Sequence, residues 1–268
     1  MSETALATYA GELKAWRERM GLTQQAFAEK LGYSAALVAA VEQCKRSPTA
    51  DFAARCDEAT DAPGTFARWQ MQVARESYPA FFAPVLAFER DAVRIHGWEI
   101  GAVPGLLQTE DYARALIRAS RPQDSDDAVE RMVTARAERQ AILSRGHPPA
   151  LWYVLDEGVM HRVVGSRSVM ADQLDKLIML GSLPGIVLQV LPFASGDHAG
   201  TDGPISVFDF QDTPTVCYTE CYGGGRIIEG RDEVAELVTG MSMLRASALS
   251  PRETLELIRK MRSEINGS

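Results

Sequence analysis

The feature that most constrains this chain is the close punctuation of its first eighty residues. Leu13, Trp16, Arg17 and Met20 recur at helical spacing, and Gly21 ends that run as a residue tolerant of the left-handed conformation. Thr23 reads as the cap of a second helix, Thr23–Lys30, with Phe27 and Leu31 inward. Gly32 supplies a tight turn. Ser34 caps a third helix, Ser34–Gln43, whose apolar positions are Leu37, Val38 and Val41. Ser47-Pro48-Thr49 opens a fourth, with Phe52, Ala53 and Cys56 buried. Pro63 or Gly64 opens a fifth, through Phe66, Trp69 and Val73. The pattern predicts an all-α bundle of five short helices.

Tyr78-Pro79-Ala80 marks a joint, which divides the chain into a domain over residues 1–77 and a larger one over 78–268. After the joint the spacing predicts a helix over Ala83–Ile95, a loop over Val103–Thr109, a helix over Glu110–Ser120 and a charged amphipathic helix over 125–144. Leu151–Leu155, Ile186–Leu191, Pro204–Phe210 and Val216–Thr219 are rich in Val, Ile, Phe and Tyr and read as strands. Helices are expected at Ser168–Leu180, Val234–Ala248 and Pro251–Ile265, the last with proline at its first position. The expected fold class is therefore an N-terminal all-α five-helix domain plus a larger C-terminal α+β domain.

Of the 268 residues, 46% are apolar, enough for a substantial core. No apolar run approaches the ~20 residues that span a bilayer, and the first residues lack a basic segment followed by an apolar one. The expectation is a cytoplasmic protein without membrane association. The four cysteines, Cys44, Cys56, Cys217 and Cys221, fit reduced thiols better than a disulfide framework. Cys217 and Cys221 lie in a strand-like run without a second ligand pair, so no metal and no cofactor is expected. Net charge is −8. Residues 1–75 are neutral, with nine basic and nine acidic side chains, so the acidity belongs to the rest of the chain.

The very short turn around Gly32 fixes the second and third helices at a steep angle. The third helix then presents its first residues, Ser34, Ala35, Ala36 and Leu37, where a recognition helix meets base edges. Thr23, Gln24 and Gln25 open the second helix, and their side chains and backbone N–H groups can hold phosphates. The stretch GLTQQAFAEKLGYSAALVAAVEQCKRSP, residues 21–48, resembles phage-repressor-like helix-turn-helix proteins of the xenobiotic-response-element type. The resemblance implies a structural role for Glu42 and DNA-backbone contacts from Lys45 and Arg46. Its partner would be double-stranded DNA, read by a homodimer. One departure stands out: alanines occupy most of the face that usually carries Arg, Gln, Asn or Lys. No bidentate base contact comes from them. Reading would then fall to DNA shape or to Gln43 and the flanking basic residues. Cys44 also stands where a glycine commonly ends the helix.

The segments Val103–Thr109 with Tyr112-Ala113-Arg114, LWYVLDEGVMHRVVG at 151–165, VMADQLDKL at 169–177, 188–210 and 244–258 resemble a domain of unknown function attached to actinobacterial regulators. That resemblance implies an antitoxin-like transcriptional regulator, often paired with a small acidic partner protein. Candidate ligand or partner residues are Gln108 and Tyr112 around the 103–109 loop, and Asp156, Glu157 and Arg162 as a charged cluster. His198 joins them from the long Pro192–Pro204 loop. Catalysis is not expected. Ser195, Asp197 and His198 are adjacent rather than brought from separate elements, and no nucleophile elbow, phosphate loop or dinucleotide fingerprint exists. The reading is a DNA-binding transcriptional regulator whose C-terminal domain senses a small-molecule effector or a protein partner. The alternative is an antitoxin-like interaction module whose DNA contact is secondary.

Overall fold

The structure, a computed structural model, describes residues 4–267. It divides into two compact units. One comprises residues up to Ala80 together with Ile117–Glu138; the other comprises Phe81–Leu116 and Arg139 onward. The segment Ile117–Glu138, set in the second domain from sequence, thus groups with the first.

The first unit begins with α1 (Ala5–Arg19), α2 (Gln24–Leu31), α3 (Ala35–Glu42), α4 (Ala50–Thr60) and α5 (Thr65–Glu76). The hydroxyls of Thr4, Thr23, Ser34 and Thr49 accept backbone N–H groups at the starts of the first four. The start of α5 is held differently. Asp57, inside α4, accepts the backbone N–H groups of Phe66 and Ala67 at 2.8 and 3.0 Å. Four helix ends share one device. Gly21, Gly32, Cys44 and Asp61 take left-handed backbone angles, and the residue after each donates to a carbonyl five positions back. Two are glycines, for which that conformation is free of steric cost; Cys44 at φ 57° and Asp61 at φ 52° are not. Tyr9, Leu13, Phe27, Leu31, Val38, Val41, Phe52 and Phe66 form the core between the helices. α7 (Glu110–Ser120) and α8 (Asp126–Arg139) contribute a smaller cluster of Ile117, Val129 and Val133 to this unit.

The second unit is built on a six-stranded mixed sheet. Its strands are β1 (Arg94–Glu99), β2 (Ala150–Asp156), β3 (Ile186–Leu191), β4 (Ile205–Asp209), β5 (Val216–Cys221) and β6 (Gly224–Ile228). Their order is β3-β2-β1-β4-β5-β6. β1 and β2 pair in parallel, as do β2 and β3; the remaining pairings are antiparallel. The helices are α6 (Ala83–Asp91), α9 (Glu157–His161), α10 (Arg167–Leu180), α11 (Arg231–Ser247) and α12 (Pro251–Gly267). The two faces carry separate cores. Ile95, Leu151, Tyr153, Leu155, Leu174, Leu188 and Phe208 belong to one; Trp98, Val154, Leu191, Val207, Cys217 and Leu244 belong to the other.

Three elements differ from the sequence expectation. The helix expected through Ile95 stops at Asp91, and Arg94–Glu99 is a central strand. Ala92 turns to an extended conformation with no glycine or proline to announce it. Gly97 hides the strand further, yet is required there: a Cβ at that position would overlap the ring of Tyr153 on β2. The second missed strand, β6, is rich in glycine and has only one buried residue, Ile228. The third missed element is α9, a single short helix capped by the Asp156 carboxylate through Gly158 N–H at 2.7 Å.

Candidate nucleic-acid interface

The surface built by α2, the turn at Gly32 and α3 is held from below by one buried carboxylate. Glu42 ends α3 with its side chain 4% exposed, and the Arg17 guanidinium from α1 meets it with Nε at 2.6 Å and Nη2 at 3.1 Å. This is the two-pronged geometry that makes arginine–carboxylate pairs strong. Arg17 also donates to the Leu22 carbonyl at 2.9 Å. The Gln24 amide donates to the second Glu42 oxygen at 2.7 Å. Glu42 therefore ties α1, α2 and α3 together, and its accepting bond holds the Arg17 guanidinium above its ordinary pKa.

This network changes the roles of two residues expected at phosphates. The Gln24 amide is committed to Glu42, and the Gln25 amide to Glu29 at 2.7 Å. The hydroxyls of Thr23 and Ser34 accept from Ala26 and Leu37 N–H, so their acceptor capacity serves the caps. Leu37 and Ala35 pack against the core. Of the ten candidate residues, Thr23, Gln25, Ser34, Ala36, Gln43, Lys45 and Arg46 are exposed. Lys45 and Arg46 emerge directly after the left-handed Cys44, with their backbone N–H groups donated to the Ala40 carbonyl at 2.9 and 3.2 Å. The backbone that carries these two cations is thereby held beside the end of α3.

Sequence reasoning missed the support on the far side of this unit. Glu138 on α8 accepts the Ala50 N–H at 3.2 Å, at the first residue of α4, and the Gln70 amide at 2.9 Å. Burial pushes its carboxyl up to about 7. Only a charged position on an amphipathic helix was visible in the sequence.

In the second unit the candidate ligand residues serve the fold. Gln108, 3% exposed, donates to the Val103 carbonyl at 2.6 Å, and the Tyr112 hydroxyl accepts the Val103 N–H at 3.2 Å. Gln173 on α10 accepts from Thr109 N–H and donates to the Leu107 carbonyl, while Lys176 reaches the Gln108 carbonyl at 2.7 Å. The 103–109 signature is thus a loop clamped by buried amides. Asp156, Glu157 and Arg162 do not form a charged cluster. Asp156 caps α9, Glu157 accepts the Phe193 N–H at 2.7 Å, and Arg162 donates to the Gly101 carbonyl at 3.0 Å. His198 accepts the Gly200 N–H and sets its ring edge-on to Trp98, whose indole N–H donates to the Gly200 carbonyl at 2.9 Å. The 192–204 loop is thereby anchored rather than free. Glu89 is buried beside Arg139 at 3.1 Å, and Arg90 pairs with Asp91. Among the described residues, no three His, Cys, Asp or Glu side chains gather where they could hold a metal ion. No described helix is long and apolar enough to cross a membrane.

A capped helix, a left-handed turn at Gly32 and a second capped helix define a helix-turn-helix protein, and residues 8–69 match the family described as a helix-turn-helix domain. The remainder places the chain more narrowly. Residues 82–260 match the domain of unknown function DUF5753, and the chain belongs to that family. No curated protein and no solved structure matches it.

Proposed function

We propose that the chain is a transcriptional regulator of the xenobiotic-response-element type, and that it docks on double-stranded DNA through α3 and the Lys45-Arg46 loop. The observation that carries this reading is the exposed pair of cations beside the start-to-end face of α3, on a helix pair locked by the Arg17–Glu42–Gln24 network. We take it to act as a cytoplasmic homodimer, with recognition helices about 34 Å apart on a pseudo-palindromic site. The resemblance to actinobacterial regulators gives its kind, and we assign it no catalytic activity, cofactor or metal. The second unit, in this reading, responds to an effector or a small acidic partner protein.

Specificity follows from what α3 lacks. Ala36 offers at most a contact to a thymine methyl, and the Gln24 and Gln25 amides each already donate to a glutamate. Affinity therefore comes from phosphates, and sequence preference from groove shape and dimer spacing. The same alanine-lined face favours a second reading, an antitoxin-like module whose main partner is a protein.

The test is a titration against DNA from upstream of the protein's own gene at two salt concentrations. Wild type is expected to bind with an affinity that falls with salt by about 0.9 log units per log unit for each phosphate neutralised. Lys45→Ala with Arg46→Ala lowers that slope by about 2 per protomer. Binding and slope left unchanged by the double substitution refute the phosphate assignment. No binding to that DNA at all favours the protein-partner reading.

A further inference from the structure

The loop that carries Lys45 and Arg46 is held at both ends by one helix. α8 runs without a break from Asp126 to Arg139. Its Arg131 donates to the Cys44 carbonyl at 3.5 Å, and its Glu138 accepts the Ala50 N–H at 3.2 Å and the Gln70 amide at 2.9 Å. Two helical turns separate Arg131 from Glu138, so both lie on one face of α8, about 10 Å apart along its axis. Each contact matches the helix end it meets. Cys44 lies just past the C-terminal, negative end of α3 and receives a guanidinium. Ala50 is the first residue of α4, at the positive end, and receives a carboxylate. The Arg131 bond is at the long limit for a hydrogen bond, so its hold is mainly that of charge. Between the two anchors Ser47 and Pro48 are buried, while Lys45 and Arg46 are exposed.

The residues that follow are anchored elsewhere. The division between the two units falls between Glu138 and Arg139. Arg139 meets the buried Glu89 carboxylate at 3.1 Å and lies 5.1 Å over the Phe82 ring. Its guanidinium fills the space where a side chain at Gly105 would begin. Gln140 donates to the Gly105 and Gln108 carbonyls at 3.0 and 2.8 Å. Consecutive residues therefore grip the docking loop of the first unit and the 103–109 loop of the second. A packed helix moves as a rod, so a shift at Arg139 is passed to Glu138 and Arg131 rather than absorbed between them.

We propose that α8 is a brace for the docking loop, with Arg131 and Glu138 as its positioning residues, and that the Arg139–Gln140 anchor makes this brace answer to the 103–109 loop. The brace orders Lys45 and Arg46 before DNA arrives, so that binding does not bear the cost of ordering them. The benefit to DNA binding rests on the docking reading; the grip of α8 on the loop does not.

The test is amide hydrogen exchange read by mass spectrometry on the full chain. Glu138→Ala is expected to speed exchange over residues 45–50 about tenfold, the scale of one lost bond to a charged group, and to leave α1 and α2 at the wild-type rate. Glu138→Gln keeps an acceptor oxygen and gives a smaller rise; Arg131→Gln gives a severalfold one. Gly105→Ala, whose added methyl displaces the Arg139 guanidinium, raises exchange over the same residues, and Gln140→Ala does so more mildly. Unchanged exchange over 45–50 in Glu138→Ala overturns the brace, and so does a rise spread evenly over the first unit, which marks general destabilisation. Should Glu138→Ala fail to fold, Glu138→Gln and Arg131→Gln decide by the same reading. Unchanged exchange over 45–50 in both Gly105→Ala and Gln140→Ala overturns the coupling to the second unit.

A DNA titration separates positioning from charge. Removing a carboxylate from a DNA-binding unit strengthens binding by charge alone. The brace predicts the reverse: Glu138→Ala weakens binding about tenfold, the scale of re-ordering one backbone residue, with the salt slope unchanged. Equal or stronger binding overturns the positioning role and makes Glu138 the occupant of a phosphate site at the start of α4. If the wild type binds no DNA, the docking reading fails, and the exchange rates still decide whether α8 braces the loop.

Discussion

Replacing Glu42 with alanine removes the one acceptor shared by three helices. Arg17, with its side chain 10% exposed, keeps the Leu22 carbonyl and a longer contact of 3.7 Å with the exposed Glu18, and the Gln24 amide loses its 2.7 Å bond. Stranding one charge of a buried pair costs about 3–5 kcal/mol. That is a large share of the ~5–15 kcal/mol that holds a typical domain folded. With a urea slope of about 2 kcal/mol/M, the midpoint falls by roughly 2 M. The assay is urea unfolding followed by far-ultraviolet circular dichroism and tryptophan fluorescence. A double variant, Arg17→Met with Glu42→Leu, removes both charges and is expected to lose less than Glu42→Ala alone, since a well-packed apolar pair is often neutral against a buried ion pair. A loss below ~1 kcal/mol for Glu42→Ala, the scale of an exposed salt bridge, would refute the locking role. So would a double variant less stable than the single by the full cost of both changes.

Gly97→Ala should destabilise the second unit by about 1–3 kcal/mol, because the added methyl meets a buried tyrosine ring on a central strand; urea unfolding reads it directly. Cys44→Gly removes a left-handed L-residue, a relief of roughly 1–2 kcal/mol set against roughly 0.5–1 kcal/mol of added chain entropy. Stability equal to wild type or up to ~1 kcal/mol higher is expected, and a clear loss in thermal unfolding contradicts it. Burial raises the Glu138 carboxyl from 4.5 to about 7, so the folded state holds its proton more tightly than the unfolded state. The resulting stability is complete below about pH 4.5 and is lost as pH rises through about 7. Glu138→Gln should therefore show a smaller drop in urea midpoint between pH 5 and pH 8 than wild type, and an equal drop would show that Glu138 is not buried as described.

The sequence was most legible where local chemistry alone decides the backbone. Gly21, Gly32, Thr23 and Ser34 fix turns and caps through their own side chains or lack of one, so the α2–turn–α3 geometry was visible residue by residue. The end of α3 was visible only as an anomaly, a cysteine in a glycine's place, and the left-handed φ of Cys44 explains it. β1 was not visible. Its Arg94-Ile95-His96-Gly97-Trp98-Glu99 is a strand because strands on both sides pair with it, and that is a nonlocal cause. The candidate ligand residues failed for the same kind of reason. Gln108, Tyr112 and Glu157 look like functional groups until the fold brings up their partners: the Val103 backbone bonds Gln108 and Tyr112, and the Phe193 N–H arrives from a distant position to bond Glu157.

The margin of the sheet at β3 has a consequence of its own. A terminal strand normally displays a row of unpaired amides that can recruit another chain. Here the outward groups of Val190 are taken within the molecule: its N–H donates to the Thr254 hydroxyl at 3.0 Å and its carbonyl accepts the Leu249 N–H at 2.9 Å. The nearby Gln189 amide is spent on the Leu249 carbonyl at 2.9 Å. The α11–α12 connection therefore acts as a selvedge at Val190, a border finished from within the chain. At the opposite edge, β6, a glycine-rich and weakly buried strand makes a poor template for another chain.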